Sequence, residues 1–455
     1  MLKINKFCNN YLLLIVAFFL FISTIIFTYP PLNFMYIFVA IVFLIVCVVT
    51  DISCSLSIVL AFSSYKSYSL DFNKESFILY NILFLIFVAI FGTKLICKMI
   101  KNKKLKNKSL YIVAFLILVF TIIRVGNVNS EHLKIAIKLF VFIIIVTSKD
   151  EINLDSIAKS YILGVILNFI LSMLFSYNDS IQSYLIMYDS RFAGFSSNPN
   201  VLSMCCSTSL LCLLFLNSKK NFNNLSLFSV SLIVIIIGLL TYSKTFLVSV
   251  VVFLLFMLYK LIGKFYKYRY PIFVLIFSAV FLCCSVFRTY LDKIIQRFTN
   301  RNGLYNNLFD VLFTGRGAIW KDYLKIWLST PVNILFGCGI DFEIYNKYCH
   351  STFISIITRY GILGIMLLIV YTFLLFRCTR TRKKINSTQL IALIITTIMA
   401  MTESIVYLTN IHVLVILYIL FFINETKIGD KDDTKNYSLH LVRGKTFAKN
   451  CRKMH

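Results

Sequence analysis

Apolar stretches of membrane-crossing length recur from Tyr11 to Ile423, each set off by a short polar or basic break. A helix needs roughly 20 mainly apolar residues to cross about 30 Å of hydrocarbon. The pattern predicts about fourteen spans (twelve to fourteen), at 11–28, 32–49, 52–69, 76–97, 110–126, 132–147, 157–175, 200–216, 225–241, 245–260, 271–288, 351–376, 389–405 and 408–423. The fold class is all-α, a polytopic transmembrane helix bundle. The third segment is the least regular, being rich in Ser and carrying Lys66. One membrane domain takes up 1–423, and 424–455 form a polar, basic tail. Residues 1–29 have the basic and apolar parts of a signal peptide but no clear small-residue cleavage site. They are read as a retained first helix.

Composition agrees with this pattern. Hydrophobic residues make up 59% of the 455 and charged residues 14%, against about 45–50% and about 25% in soluble domains. The formal charge of +27 has the size of a nucleic-acid signal, but its distribution gives another meaning. The basic residues sit in short runs between apolar segments, at 98–108, 260–269 and 377–384. That is the positive-inside pattern, which sets orientation, and nucleic acid is not an expected partner. With Lys3 and Lys6 inside, an even number of crossings before the 98–108 run puts it inside too. Lys219, Lys220, the later runs and the tail then follow, with both termini cytoplasmic.

This topology leaves 176–200 and 289–350 on the outer face. Loops longer than about 12–15 residues are mostly functional or disordered. The second holds both Trp residues, and 318–328 alternate near helical period. Around these segments lies a group of cations and one imidazole. Arg191 opens R-F-A-G-F-S-S-N-P-N, ending in Asn198, Pro199 and Asn200 just before a span. Lys244 sits in T-Y-S-K-T, and Arg316 follows Gly315 in G-R-G-A-I-W, which ends in Trp320. His350 opens a run that leads through Arg359 to Gly361 and Gly364.

Each has a plain structural reading beside the chemical one. Outer-end Arg and Lys anchor helices to headgroups. Pro199 suits a first helical turn, and the two glycines suit close helix packing. His350 stands out by elimination. His440 and His455 lie in the tail, and His132 and His412 have no polar motif around them. An imidazole titrates at about 6.5 and accepts a proton at neutral pH. Arg fits phosphate in two-point contact, and Lys supplies a point charge. A base beside such cations suits transfer from a lipid-linked pyrophosphate to a hydroxyl.

Metal chemistry finds little support. Most of the 13 Cys lie in apolar segments, and no C-x-x-C or Cys/His ligand spacing occurs. Cys338 and Cys349 share one loop and are read as free thiols. The one D-x-D, Asp430 to Asp432, lies in a charged low-complexity stretch of the tail and is read as solvated. No P-loop, dinucleotide fingerprint or H-E-x-x-H occurs.

In pattern and order the motifs resemble the O-antigen polymerase and ligase family. They run R-x-x-G-x-x-x-N-P-N, S-K two spans later, G-R-x-x-x-W, G-x-G, then H-S before G-x-x-G, over 191–364. The family usually has Arg where this chain has Lys244. The resemblance implies a metal-independent membrane glycosyltransferase without a cofactor, at the outer face of the bacterial plasma membrane. Its donor is an oligosaccharide on polyprenyl pyrophosphate, and its acceptor is a growing glycan. The bilayer is a partner, and a flippase and a chain-length regulator are candidate protein partners. By this analogy Arg191 and Lys244 bind pyrophosphate, and His350 is the catalytic base. Arg316 shapes the loop or holds glycan. Asn198, Pro199, Asn200, Gly315, Trp320 and Gly361 form the structural motif. Arg359, nine residues along a helix from His350, is expected to face away and take a structural partner.

The leading expectation is a polymerase of lipid-linked repeat units in capsular, O-antigen or exopolysaccharide synthesis. The alternatives are a ligase of the same family, a polysaccharide transporter or flippase, and a structural membrane subunit. Transporters tend to place charge at midplane between repeats. Here the charges collect at one face.

Overall fold

The computed structural model describes residues 10–72, 75–102, 107–125, 130–175, 191–196, 198–219, 224–264, 292, 316–340, 342, 344, 349–379, 386–402 and 411–422. Helices dominate them. The first are α1 (Leu12–Thr28), α2 (Tyr36–Val49) and α3 (Ile52–Ala61), the last continued by a 3-10 turn at Phe62–Ser64. A hairpin of β1 (Ser69–Phe72) and β2 (Glu75–Ile78) follows, antiparallel, with Ser69 opposite Ile78. Next come α4 (Leu79–Asn102), α5 (Lys108–Val125), α6 (Ser130–Thr147), α7 (Leu154–Leu174), α8 (Pro199–Ser218), α9 (Asn224–Leu240) and α10 (Lys244–Lys264). After the outer segment's α11 (Arg316–Trp327) and α12 (Pro331–Phe336) come α13 (Thr352–Thr379), α14 (Ser387–Thr402) and α15 (Ile411–Phe422). Every expected span coincides with one of these helices except 271–288, which lies outside the described residues. So do Gly315, the Asp430–Asp432 pair and the tail.

Two expectations need correction. The hairpin is an addition to an otherwise helical fold. It occupies the polar stretch in which the third span was expected to end and the fourth to begin. The third segment is also shorter than its pattern suggested. Its helical part stops at Ser64, not at residue 69. At about 1.5 Å per α-helical and about 2.0 Å per 3-10 residue, it rises about 21 Å. It is nevertheless central, since every residue from Ile52 to Tyr65 is buried. Its serines face neighbouring helices rather than lipid. Ser53 Oγ donates to the Glu151 carbonyl at 2.9 Å and accepts from the Asn153 amide at 2.6 Å. Helix α7 crosses it at Gly164, where a Cβ would run into the Ala61 carbonyl. Small residues permit this close approach, and in lipid it is packing that drives helix association.

Capping sets several starts. Asp51 accepts from Cys54 N at 2.9 Å, and Asn153 accepts from Ser156 N at 3.3 Å. Helix α8 is the most enclosed of the long spans, with 83% of its apolar window buried against 22% for 31–49. At the periphery, Leu14, Phe18 and Phe21 of α1 and Met366, Ile369 and Phe373 of α13 are exposed at helical spacing. Such outward apolar stripes suit lipid contact.

The two ends of the bundle differ in chemistry. At one end Lys94 Nζ donates to the Cys47 carbonyl at 2.7 Å, and Lys149 Nζ to the Cys378 carbonyl at 3.3 Å. Cations belong there because helix C-termini present spare carbonyls and a negative dipole end. Lys98 pairs with Glu151 at 3.3 Å, and Lys260 Nζ donates to Thr388 Oγ1 at 3.3 Å. Residues of three separate basic runs therefore share one end. Asn198, Lys244 and Ser351 start helices at the other.

Candidate active site

The R-F-A-G-F-S-S-N-P-N segment ties that opposite end together. Asn198 caps α8 by accepting from Asn200 N at 2.8 Å, and Pro199 takes the first helical position. Arg191 Nε donates to the Thr241 carbonyl at 2.8 Å, and its Nη2 donates to Asn200 Oδ1 at 2.7 Å. The guanidinium thus joins the start of α8 to the turn between α9 and α10. Phe192 N adds a bond to the Leu240 carbonyl at 3.0 Å.

Lys244 is half-buried at the first position of α10, behind a turn in which Tyr242 has φ 49°. The next residue, Thr245, shares a 2.6 Å hydroxyl contact with Thr402, at the end of α14. Arg316 begins α11 and donates to the Thr402 carbonyl. Arg191 is thus bonded directly to the turn at 241–245 that holds Lys244, and Arg316 is linked to it through Thr402 and Thr245.

His350 reaches this group through α11. Trp320, one turn beyond Arg316, donates its indole N–H to the Cys349 carbonyl at 2.8 Å. Trp320, Tyr323, Ile344 and Cys349 form a small buried core under the loop. That core holds the residue before His350. Ser351, the residue after it, leads into α13, its carbonyl accepting from Ser355 N at 3.0 Å. His350 itself is half-buried, with φ 50°. A non-glycine residue held in the left-handed region is strained and persists where its surroundings fix it.

Burial pushes the Cys349 thiol up to about 11, while the Ser351 backbone and the charges of Arg359 and Arg316 pull the other way. Both guanidiniums are thus within electrostatic reach of the residue beside His350. The expected orientation of Arg359 rested on a helical count from His350. That count does not apply, because α13 begins only at Thr352.

Gly361 does more than allow packing. It has φ 60° and ψ −171°, and α13 kinks there. The Gly337–Gly339 loop docks on the kink. Cys338 N donates to the Thr358 carbonyl at 2.7 Å, and Gly339 N to the Arg359 carbonyl at 3.2 Å. A Cβ on Gly361 would collide with Gly337 N. Gly364 has the expected packing role, set against Phe120 of α5.

His132 and His412 are both buried. His412 Nε2 lies 3.8 Å from Cys205 Sγ, and its ring stacks on Tyr161 at 5.8 Å. The motif reading missed Thr241, Thr245 and Thr402, which supply the contacts between helices. It also missed Asn168, an amide in the middle of an apolar span, which was the available signal. Asn168 Nδ2 donates to the Ser64 carbonyl at 2.6 Å, and its Oδ1 accepts from Phe195 N at 3.1 Å.

Residues 228–369 match a family model described as O-antigen ligase. That stretch is similar to the O-antigen ligase family. The match covers less than half of the chain but includes Lys244, Arg316, Trp320, His350 and Gly361. Arg191 and Asn198 to Asn200 precede the matched residues in sequence, and Arg191 joins Asn200 to Thr241 within them. No curated protein and no solved structure matches the chain. The similarity supports polysaccharide assembly in a membrane in general terms, and the family implies lipid-linked oligosaccharides and polysaccharides as its substrate class.

Proposed function

We propose that the protein polymerises lipid-linked oligosaccharide repeat units in capsular, O-antigen or exopolysaccharide synthesis. Glycan is transferred from polyprenyl pyrophosphate to an acceptor sugar hydroxyl. The transfer occurs on the outer face of the bacterial plasma membrane, with both termini in the cytoplasm. One observation carries the reading. Arg191 bonds to the Lys244 turn, Arg316 bonds to Thr402, whose hydroxyl meets Thr245 of that turn, and Trp320 ties the residue before His350 to the same helix as Arg316.

His350 takes the proton from the acceptor hydroxyl. The acceptor oxygen forms the new bond to the anomeric carbon as the bond from that carbon to the pyrophosphate oxygen breaks. Charge gathers on the departing lipid pyrophosphate, and fixed cations aimed at it lower the barrier. Arg191 and Lys244 hold that group from two helix starts, whose free N–H groups also favour anions. Arg316 holds the loop in place or contacts glycan. The chemistry needs no metal.

A ligase moving finished glycan to a lipid or wall acceptor is the second reading, favoured by the description of the matched family. Deletion followed by gel analysis of surface glycan separates the two. Loss of long chains with single repeat units retained is the polymerase outcome. Accumulated long lipid-linked chains mean a ligase, and unchanged glycan rejects both. Extension by purified protein with and without chelator tests the chemistry, and a requirement for added divalent metal would rule out the cation-only mechanism.

A further inference from the structure

We propose that Lys66, outside the matched residues, is a further binding residue for the lipid-linked diphosphate, beside the α8 N-terminus. The ligand class rests on the function proposed above; the placement of Lys66 does not. Helix α3 starts at Asp51, at the end of the bundle where Lys94 and Glu151 lie. Its rise of about 21 Å falls short of about 30 Å of hydrocarbon. Lys66, two residues past its 3-10 turn, therefore sits below the level at which a full span would surface.

The turn is held with unusual thoroughness. The Ser64 carbonyl accepts from Asn168 Nδ2 and from Ser196 Oγ, both at 2.6 Å. Ser67 N donates to the Phe195 carbonyl at 2.9 Å. The Phe195 ring packs on Tyr65 and Tyr68 at 5.8 and 5.3 Å. So the segment whose Arg191 end grips the turn at 241–245 grips the Lys66 turn with its Phe195–Ser196 end.

Lys66 is half-buried, and its turn packs on α8, where Cys205 Sγ lies 3.9 Å from the Ser63 carbonyl. A lysine serving only as a headgroup anchor extends outward to the interface. This one follows a turn packed against the helix that starts at Asn198 to Asn200. An intramembrane charge is costly and is kept where function uses it. A compact ammonium here suits a phosphate oxygen.

The test uses full-length protein in phosphatidylcholine nanodiscs. Binding of polyprenyl diphosphate is measured with inorganic pyrophosphate and phosphatidylglycerol as competitors, beside repeat-unit extension. Lys66→Gln is expected to weaken diphosphate binding by about tenfold to a hundredfold, the range for losing one charge-assisted contact. Lys66→Arg should retain most of it, and pyrophosphate should compete while phosphatidylglycerol does not. Unchanged diphosphate affinity in Lys66→Gln overturns the proposal, as does stronger competition by phosphatidylglycerol than by pyrophosphate, the mark of a plain lipid anchor. Should Lys66→Gln fail to fold, Lys66→Arg and Lys66→Met, compared at equal thermal stability, decide in its place. Wild-type protein that binds diphosphate through Lys66 but extends nothing would reject the polymerase reading and leave this one standing. Wild type that extends repeat units at the same KM as Lys66→Gln would reject this one alone.

Discussion

Arg191 has a double duty, and its substitutions should show both parts. Its fork spans the Thr241 carbonyl and Asn200 Oδ1, geometry that a lysine cannot reproduce. Arg191→Lys is expected to lower repeat-unit extension by about tenfold or more, since a charge-assisted contact is worth about 1.5–3 kcal/mol. Lys244→Arg should be tolerated, because charge is kept at the head of α10. The Arg191→Ala, Lys244→Ala double variant should be inactive, and full extension by it would remove both residues from the site. His350→Ala should abolish extension with membrane insertion unchanged. His412→Ala should instead cost stability, about 1–3 kcal/mol for an altered buried polar contact, and leave chemistry largely intact. Thermal unfolding and extension measured on the same samples separate these two histidines. The Cys349 thiol adds a pH signature. Its folded pKa, raised to about 11 by burial, lies above the ordinary thiol value of about 8.5. The folded state therefore holds the proton longer. The stability this group contributes is complete below about 8.5 and is lost as pH rises through about 11. Alkylation of Cys349 in folded protein should stay slow at pH 8, and Cys349→Ser should flatten the alkaline decline in stability.

Among the elements, α13 should be the most sensitive to a single added methyl. Gly361→Ala places a Cβ against Gly337 N at a backbone angle that L residues avoid. A cost of about 1–3 kcal/mol is expected for such a backbone position, read as a lowered unfolding temperature together with loss of extension. Trp320→Phe keeps the ring but drops the bond to the Cys349 carbonyl, so it should lower kcat more than KM if that bond aims His350. The helices themselves were legible because long apolar runs bounded by charge have few alternatives in lipid, where backbone groups must pair internally. The third segment was not fully legible, since its serines and Lys66 made it the least regular of the apolar runs. The partners of those serines, Glu151, Asn153 and Asn168, come from distant parts of the chain. The same limit applies at Gly361. The sequence marks a small residue there, but only the Gly337–Gly339 loop decides between packing and a kink. At the site, the cations and His350 stood out by type and order, whereas the threonines that join them look like any others in an apolar run.

On the scale of the molecule, charge asymmetry and contact geometry converge. Lys98, Lys260 and the Cys378 carbonyl beside Arg377 engage partners at one end of the bundle. Arg191, Lys244, Arg316 and His350 gather at the other. With the basic end in the cytoplasm, single-Cys labelling in a Cys-depleted variant should leave position 102 unreactive to an impermeant reagent in intact cells. A Cys at position 329, on the exposed turn after α11, should react. Labelling of position 102 from outside would reverse the orientation and move the proposed site to the wrong compartment for a flipped donor.

The loop seated on the kink of α13 also links two clocks. Amide hydrogens in surface loops ordinarily trade with water quickly, at the low-stability end of a protein. Those of Cys338 and Gly339 are donated to carbonyls of a buried helical stretch. They should exchange at the slow tempo of that helix, while the neighbouring amides of 328–330 keep the fast tempo of the surface.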